Sequence, residues 1–520
     1  MFLAALLMAS TAHAVEFESA DGDTTLTLEG YYRFRVQQYG GLYDPAAWDD
    51  LDSSNGRYSV QRLRLEPSLN FSERAKVYAQ IDALDNTLMG DNEDFASTAL
   101  FAGNGSWTGV DGQPGDNVVV KRAWTRFSLP VGTMLVGRME SHWGMGLLAN
   151  DGNDFRNTWG ESYGGSSFDR ILFATKPLAI TEAAFGFGSA DIPLVVAVGI
   201  DRLVEDPLTQ YYGYQCDPDD EEEGCGSTED HGYTEDRDTE DRRDNWWYDN
   251  EDDVYQLAYV VSYKGQDLNW GNKLTDFTLG ALAFNRHQRE TDSAVWVLDA
   301  HTRLNRSWLY VESEGYAIVG ETRALALPDS TQEDPLHKEV KIWGAAAKAG
   351  YQTPDLDLIM EYGIASGDEY AGDSSFTGRP FHADYNVGLL LYEEILAYGT
   401  RYQWRDAADG LWSRGGVYNS SYLFPQVRYQ LIPGWNLHGA FLVAMPHKPD
   451  GAIIRTDDDA ESALLGWEVD AALKIDFQEQ MKFSLEGGYA KTTDRLPTEI
   501  WGIAENGSVW TVQSRIAYSF

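Results

Sequence analysis

Arginine and carboxylate side chains recur in this chain at spacings that would gather them on single faces of extended segments. Arg33 and Arg35, Arg62 and Arg64, and Arg122 and Arg126 lie two or four positions apart, and Arg138 and Arg170 follow in the same third of the sequence. Glu312 and Glu314, Glu361, Glu468 and Asp470, Asp476 and Glu486 form an acidic counterpart further along. Side chains of a β-strand alternate between its two faces, so residues at even spacing share a face. Gathered on the inner wall of one sheet, they would set a basic side against an acidic side. The transverse field between them would order water and sort polar solutes by charge and dipole. The same residues could also close as ion pairs that stiffen the wall, and both roles can coexist.

Hydrolytic chemistry would require a nucleophile, a base and an orienting carboxylate held together. His142 beside Ser141 and Asp151, and His382 beside Asp384, are the positions that offer it. No motif joins either group, and nine histidines spread over 520 residues make local coincidences common. His142, next to Trp143, reads as a loop-packing residue. The expectation is a protein without catalytic residues and without a cofactor.

The elements that must position the charged faces are strands, each alternating over about ten residues. Leu26, Leu28, Tyr32, Phe34 and Val36 share one face of the first, with Arg33 and Arg35 on the other. Leu63, Leu65, Pro67 and Leu69 alternate with Arg62, Arg64, Glu66 and Ser68 in the second. Similar segments follow at 75–83, 121–129, 133–140, 169–176, 194–203, 254–263, 274–284, 295–304, 308–319, 340–351, 356–365, 422–431, 435–443, 467–477, 481–489 and the final residues. The reading is therefore all-β: an antiparallel transmembrane β-barrel of about eighteen strands, with sixteen as the alternative and both termini periplasmic. The count turns on 178–193, where one more strand would invert the alternation of short turns and long loops.

The two ends and the composition agree with this reading. Residues 1–14 close on the small-residue run Ser10-Thr11-Ala12-His13-Ala14 and read as a signal peptide, leaving 15–520 as one barrel domain. Trp510, Val512, Ile516, Tyr518 and Phe520 alternate up to the last residue. That pattern resembles the C-terminal signal read by the barrel assembly machinery of bacterial outer membranes, and it implies that machinery as a partner. A mean hydropathy of −0.40 suits a wall in which only alternate residues meet lipid, and 13% aromatic residues suit interfacial girdles. The expected location is the outer membrane of a Gram-negative bacterium, among its lipid and lipopolysaccharide. An apolar outer face also leaves room for a homotrimer.

The long extracellular loops are expected at 86–117, 141–167, 205–253 and 367–421. The third carries a dense acidic series that supplies much of the net charge of −42, which makes nucleic acid an improbable partner. It reads as a solvated loop, with loose Ca²⁺ binding through Asp217, Asp219 and Glu221 as the lesser alternative, since EF-hand spacing is absent. Cys216 and Cys225, the only cysteines, sit in it and are expected to form a local disulfide, a zinc site with His231 being the weaker reading. In the fourth loop, 387–398 has helical spacing, with Val387, Leu390, Leu391, Glu394, Ile395 and Tyr398 near one face. It is expected either to constrict the barrel mouth or to pack against neighbouring loops.

Four runs carry a family resemblance. They are Lys121-Arg122-Ala123-Trp124-Thr125-Arg126, the stretch from Gly137-Arg138 through Trp143-Gly144-Met145-Gly146 to Asn153, Ser366-Gly367-Asp368, and Phe381-His382-Ala383-Asp384-Tyr385-Asn386-Val387-Gly388. Together they are similar to a little-studied family of large porin-like outer-membrane barrels of deltaproteobacterial type, and more distantly to alginate-export and porin barrels. The resemblance implies architecture rather than substrate. The functional expectation is a channel for passive diffusion of ions and small polar solutes, with an occluded structural or adhesive surface barrel as the alternative and an outer-membrane hydrolase after that.

Overall fold

A computed structural model describes residues 15–19, 24–42, 55–71, 74–88, 118–153, 155, 157–162, 164–186, 188–189, 191–203, 254–270, 273–289, 292–323, 337–369, 373–400, 413–449, 462–477, 480–496 and 507–520. In chain order the strands are β1 (Val15–Glu18), β2 (Thr24–Gly40), β3 (Asn55–Phe71), β4 (Ala75–Leu88), β5 (Val118–Leu129), β6 (Gly132–Glu140) and β7 (Ser167–Thr175). Helix α1 (Pro177–Phe185) comes next, followed by β8 (Leu194–Leu203), β9 (Val254–Trp270), β10 (Lys273–Gln288), β11 (Ser293–Arg306), β12 (Leu309–Thr322) and β13 (Lys338–Gln352). The last group is β14 (Leu356–Ala365), β15 (Ser375–Phe376), β16 (Ser420–Ile432), β17 (Trp435–Pro446), β18 (Gly466–Phe477), β19 (Met481–Thr492) and β20 (Ser508–Ser519). The expected signal peptide, 1–14, and the loop at 205–253 lie outside the described residues.

Consecutive long strands pair antiparallel, β14 passes directly to β16, and β20 returns to β2 from Tyr31↔Ser519 to Gly40↔Trp510. Of the twenty strands, β1 pairs antiparallel with only the first residues of β2, beyond the end of β20, and β15 pairs briefly and in parallel with β13, so eighteen strands close the barrel. Closure satisfies every edge, the condition for a sheet to cross a bilayer. The last residue takes part: Gly30 donates its N–H to the Phe520 carbonyl at 3.0 Å and accepts the Phe520 N–H at 2.9 Å.

Burial alternates with the pleat. In β20, Thr511, Gln513, Arg515 and Ala517 are buried while Trp510, Val512 and Ile516 are exposed. The outer wall is apolar, with Val198, Ile200, Leu298 and Val261 exposed along its strands and Tyr259 stacked on Trp296 at 6.4 Å. No helix among the described residues is long and apolar enough to cross a membrane.

One barrel end is closed by tight turns such as Pro130-Val131, Ser307-Trp308 and Pro433-Gly434, and the chain enters β2 and leaves β20 there. The β7–β8 connection is the exception. The ambiguous region at 178–193 holds α1 rather than a strand, so the alternation of turns and loops is preserved. Strands outrun the expected segments at the loop end: β3 starts at Asn55 and β4 reaches Leu88, which shortens the loop expected from 86.

The core lies inside the barrel. Segments 141–166 and 377–400 fold down from the loop end and bury Leu147, Trp159, Phe381, Leu390, Tyr392 and Ile395 against inward wall residues including Leu282, Tyr316, Tyr422 and Leu442. The helical stretch expected at 387–398 is a wide π-type turn over Leu391–Leu396 that runs on as α-helix to residue 400, inside the wall. Because the exterior is lipid-facing, Val198→Arg on the outer face is expected to lower stability by up to about 2–4 kcal/mol, read from denaturant unfolding of vesicle-inserted protein. Val198→Leu should be neutral.

Candidate functional site in the barrel lumen

Two wall glutamates hold the in-folded segments by the same device. Glu314 of β12 accepts the backbone N–H groups of Met145, Gly146 (3.0 Å) and Leu147 (3.1 Å). Glu468 of β18 accepts those of Leu389, Leu390 (2.9 Å) and Leu391 (2.7 Å). Successive backbone N–H groups curled round one anion form a nest, a geometry that needs a left-handed residue at its start. Gly144 (φ +58°) and Gly388 (φ +79°) supply it, and at each a Cβ would run into the carboxylate being held. A second buried wall carboxyl accompanies each glutamate: Asp470 lies two positions from Glu468 on β18, and Asp299 on β11 lies across the ladder from Tyr316 of β12, two positions from Glu314. Asp299 accepts the Trp143 indole N–H at 2.9 Å.

A third carboxylate ties the two segments together. Asp384 accepts N–H groups from Gly165 at 2.6 Å and Gly164 at 3.3 Å, while its own carbonyl accepts from Asn150 and Asn157 at 3.1 Å each. Glu361 takes hydrogen bonds from Tyr385 (2.7 Å), Tyr422 (2.8 Å) and Gln426 (3.0 Å), with Lys348 3.4 Å away. Glu486 accepts from Gly160 N–H and Gln513, each at 3.0 Å, and Lys474 stands 3.4 Å from it. Glu312 is held by His301 at 3.0 Å and by Tyr310. Most of the acidic positions therefore anchor wall or loop groups, and Asp476, paired with Lys482 at 2.9 Å, is the half-exposed one.

The basic wall is real and mostly engaged. Arg33, Arg35, Arg62, Arg64 and Arg122 are buried on β2, β3 and β5, joined by Arg515 from β20. Arg64 is bidentate to Asp82 at 2.6 and 2.7 Å, and Arg170 to Asp201 at 2.7 and 2.8 Å. Arg122 donates to the Asp151 carbonyl at 2.6 Å and to Ser167 at 3.0 Å. Arg35 lies over the Tyr58 ring, and Arg62 reaches the Tyr31 hydroxyl at 3.4 Å. Arg33 (2.8 Å) and Arg515 both bind Glu161 of the in-folded 141–166 segment. Burial pushes the Glu161 carboxyl up, but Arg515, Arg33 and Arg35 outweigh it and hold it at about 2.

Arg138 departs from this set. It shares a face with exposed Ala123 across the ladder and is bidentate to Asp169, which shares its face with the exposed Ile171. Both partners are 43% exposed, so the pair sits on the outer wall. The expectation that Arg138 points inward overlooked that Met139, its neighbour, takes the buried position.

Toward the tight-turn end the lumen lining is less covered. Tyr78 and Trp124 stack across β4 and β5 at 4.1 Å, Lys76 lies 4.7 Å over Tyr78, and Lys76 pairs in register with Arg126. Arg126 is exposed and has no ion-pair or hydrogen-bond partner among the described residues. Two cations directly across a ladder disfavour each other, so this wall keeps positive charge facing the lumen at a cost in stability.

Ser166, His382 and Asp384 come together but do not form a hydrolytic triad. His382 Nε2 is 3.0 Å from Ser166 Oγ, yet its Nδ1 accepts the Asp384 backbone N–H at 3.0 Å. That bond places the ring proton on Nε2, facing Ser166, where a general base would need a lone pair. Burial, aided by Arg379, lowers the His382 pKa to about 4 and keeps the ring neutral. His142 stands 3.8 Å from Asp151. Cys216, Cys225, Asp217, Asp219 and Glu221 lie outside the described residues, and no metal-binding group occurs among the described ones.

No protein-family model matches the chain, and no curated protein matches it. Its structure is similar to OccK9 (OpdG) of Pseudomonas aeruginosa, at 10% identity over 95% of this chain and 98% of that one, with a TM-score of 0.49. It is similar to OccAB3 of Acinetobacter baumannii, at 12% identity over 95% and 99% with a TM-score of 0.48, and to OccK11 (OpdR) of P. aeruginosa, at 9% over 95% and 96% with 0.47.

Glu468→Ala and Glu314→Ala would each strand three buried donors, at about 1–3 kcal/mol per unmatched group. The expected readout is a lower unfolding midpoint together with protease cleavage within 377–400 or 141–166 respectively, and Gly388→Ala should reproduce the first pattern. The pH dependence follows from two depressed pKa values. The His382 contribution is present above its unfolded pKa of about 6.5 and is lost as pH falls through about 4. That of Glu161 is present above about 4.3 and lost as pH falls through about 2. His382→Asn, which keeps an acceptor for the Asp384 N–H, should remove the upper part of the acid stability profile and leave the lower part, measured by unfolding midpoints across the range.

Proposed function

We propose that this protein is an outer-membrane porin-like channel through which ions and small polar solutes diffuse passively. The observation that carries the reading is the lumen: a closed wall with an apolar exterior encloses buried charge, and two segments pinned to that wall narrow its loop end. Lys76 and Arg126 place two adjacent positive charges on β4 and β5 at the opposite end, whereas Asp357 with Arg428 and Asp476 with Lys482 are paired elsewhere in that zone. A passing solute would meet fixed charge without a bound counter-ion, which is how a pore selects. The tight-turn end then faces the periplasm and the long loops face outward. Partners are the surrounding lipid and lipopolysaccharide, and the assembly machinery engaging β20. Removal of residues 1–14 on export, a homotrimeric assembly and a disulfide between Cys216 and Cys225 belong to the same proposal. Kinship to deltaproteobacterial-type barrels rests on the sequence motifs.

The second reading, an occluded surface barrel, is favoured by the continuous buried core that the in-folded segments form inside the wall. The tautomer of His382 speaks against a hydrolase at Ser166.

Single-channel recording from refolded protein in a planar bilayer under a salt gradient separates the two. The expected result is stable conductance steps, with Lys76→Ala and Arg126→Ala together moving the reversal potential toward cation selectivity. Arg64→Ala should instead act mainly on stability, because it leaves buried Asp82 without its bidentate partner. Silence from demonstrably inserted protein would favour the occluded barrel.

A further inference from the structure

One connection at the tight-turn end has no counterpart among its neighbours. Where other strands turn within a few residues, β7 and β8 are linked through the nine-residue helix α1 and a following segment to Pro193. Its sequence, Pro177-Leu178-Ala179-Ile180-Thr181-Glu182-Ala183-Ala184-Phe185, contains Glu182 as its only charged residue. At 100° per residue Leu178, Ile180, Ala184 and Phe185 are spread around the axis, so no face is polar. Gly186, at φ +73°, ends it with a hydrogen bond from its N–H to the Glu182 carbonyl. A helix apolar on all sides normally lies in a protein interior or in lipid. None of its residues is buried, Phe185 is 73% exposed and Ile192 just beyond is 40% exposed.

Two environments adjoin α1. The lumen mouth at this end is lined by Lys76, Arg126, Asp476 and Lys482, which would stay hydrated and give an apolar helix no cover. The outer wall above it is apolar: Ile171 of β7 is 56% exposed, and Val198 and Ile200 of β8 are 47% and 58% exposed. The helix leaves and rejoins the barrel between these two lipid-facing strands and packs against β8. Lys176, at its N-cap, is exposed and has the reach to extend to lipid phosphates while its stem stays in the boundary.

We propose that α1 is an interfacial anchor that lies in the phospholipid leaflet next to the tight-turn end, with Leu178, Ile180 and Phe185 in the acyl boundary and Lys176 at the headgroups. Amphipathic surface helices settle about 5–10 Å into this boundary, and α1, with Glu182 as its single charged residue, has no polar face to hold it shallower. The anchor would fix the depth of the β7–β8 sector, at the foot of β7, the strand that the in-folded 141–166 segment enters.

The test places an environment-sensitive fluorophore on F185C in a background of C216S and C225S, in full-length protein refolded into phosphatidylcholine–phosphatidylglycerol vesicles. Quenching by lipids with a nitroxide near the headgroup is compared with quenching by aqueous iodide, alongside V198C on the outer wall and D191C near the turn. The expected outcome is strong lipid quenching at 185 and several-fold less iodide quenching than at 191. A water-like label at 185 with a lipid-quenched label at 198 would overturn the anchor while leaving the barrel's membrane embedding intact. A K176E variant should weaken lipid quenching at 185 in the anionic vesicles, and an unchanged signal would remove Lys176 from the proposal.

Discussion

A buried carboxylate wrapped by three consecutive backbone N–H groups is the interaction on which the interior of this barrel depends. An open barrel of eighteen strands encloses a wide space that side chains from the wall alone do not fill. Glu314 and Glu468 fill it indirectly, by fixing where two long segments turn back. Once those turns are set, Leu147 and Leu390 are delivered to the centre, and the apolar core assembles around them. Removing either carboxylate would therefore release a segment rather than a single contact.

Much of the buried charge is answered by a partner, although neither carboxylate oxygen of Asp470 is hydrogen-bonded among the described residues. Arg33 and Arg515 converge on Glu161, Arg64 on Asp82, Arg170 on Asp201, and Tyr385 and Tyr422 on Glu361. Each such pair ties strands to strands or strands to in-folded segments, so the charges that look like a pore lining serve largely as fasteners. The contrast with Lys76 and Arg126 is what gives that cross-strand pair its interest. There the wall keeps like charges adjacent and turned to solvent, an arrangement that costs stability and gains an electrostatic surface facing the lumen.

The two halves of the molecule therefore differ in purpose. The loop end is packed like a protein interior, with Trp159, Phe381 and Tyr392 buried in it. The tight-turn end keeps an uncovered, charged lining. Apolar surface outside the wall follows the strands, interrupted on β6 and β7 by the Arg138–Asp169 pair.

The strands and their number were legible in the sequence because the bilayer imposes a local rule: alternate residues must be apolar wherever lipid touches the wall, and Leu63, Leu65 and Leu69 obey it without reference to anything distant. The face of Arg33, Arg35, Arg62 and Arg64 followed from the same period, and Arg515 was within reach of it too. Arg138 escaped because its strand carries small and apolar residues on both faces, leaving the phase undetermined locally. Glu161, Asp384 and the nests at Gly144 and Gly388 were beyond sequence reasoning for a different reason. Their partners lie 77 to 354 positions away, and no periodicity links a loop to the wall it will meet. Secondary structure and lipid exposure are thus properties of short segments and were written there, whereas the filling of the lumen, and which charges remain free within it, were decided only when the closed barrel brought distant segments face to face.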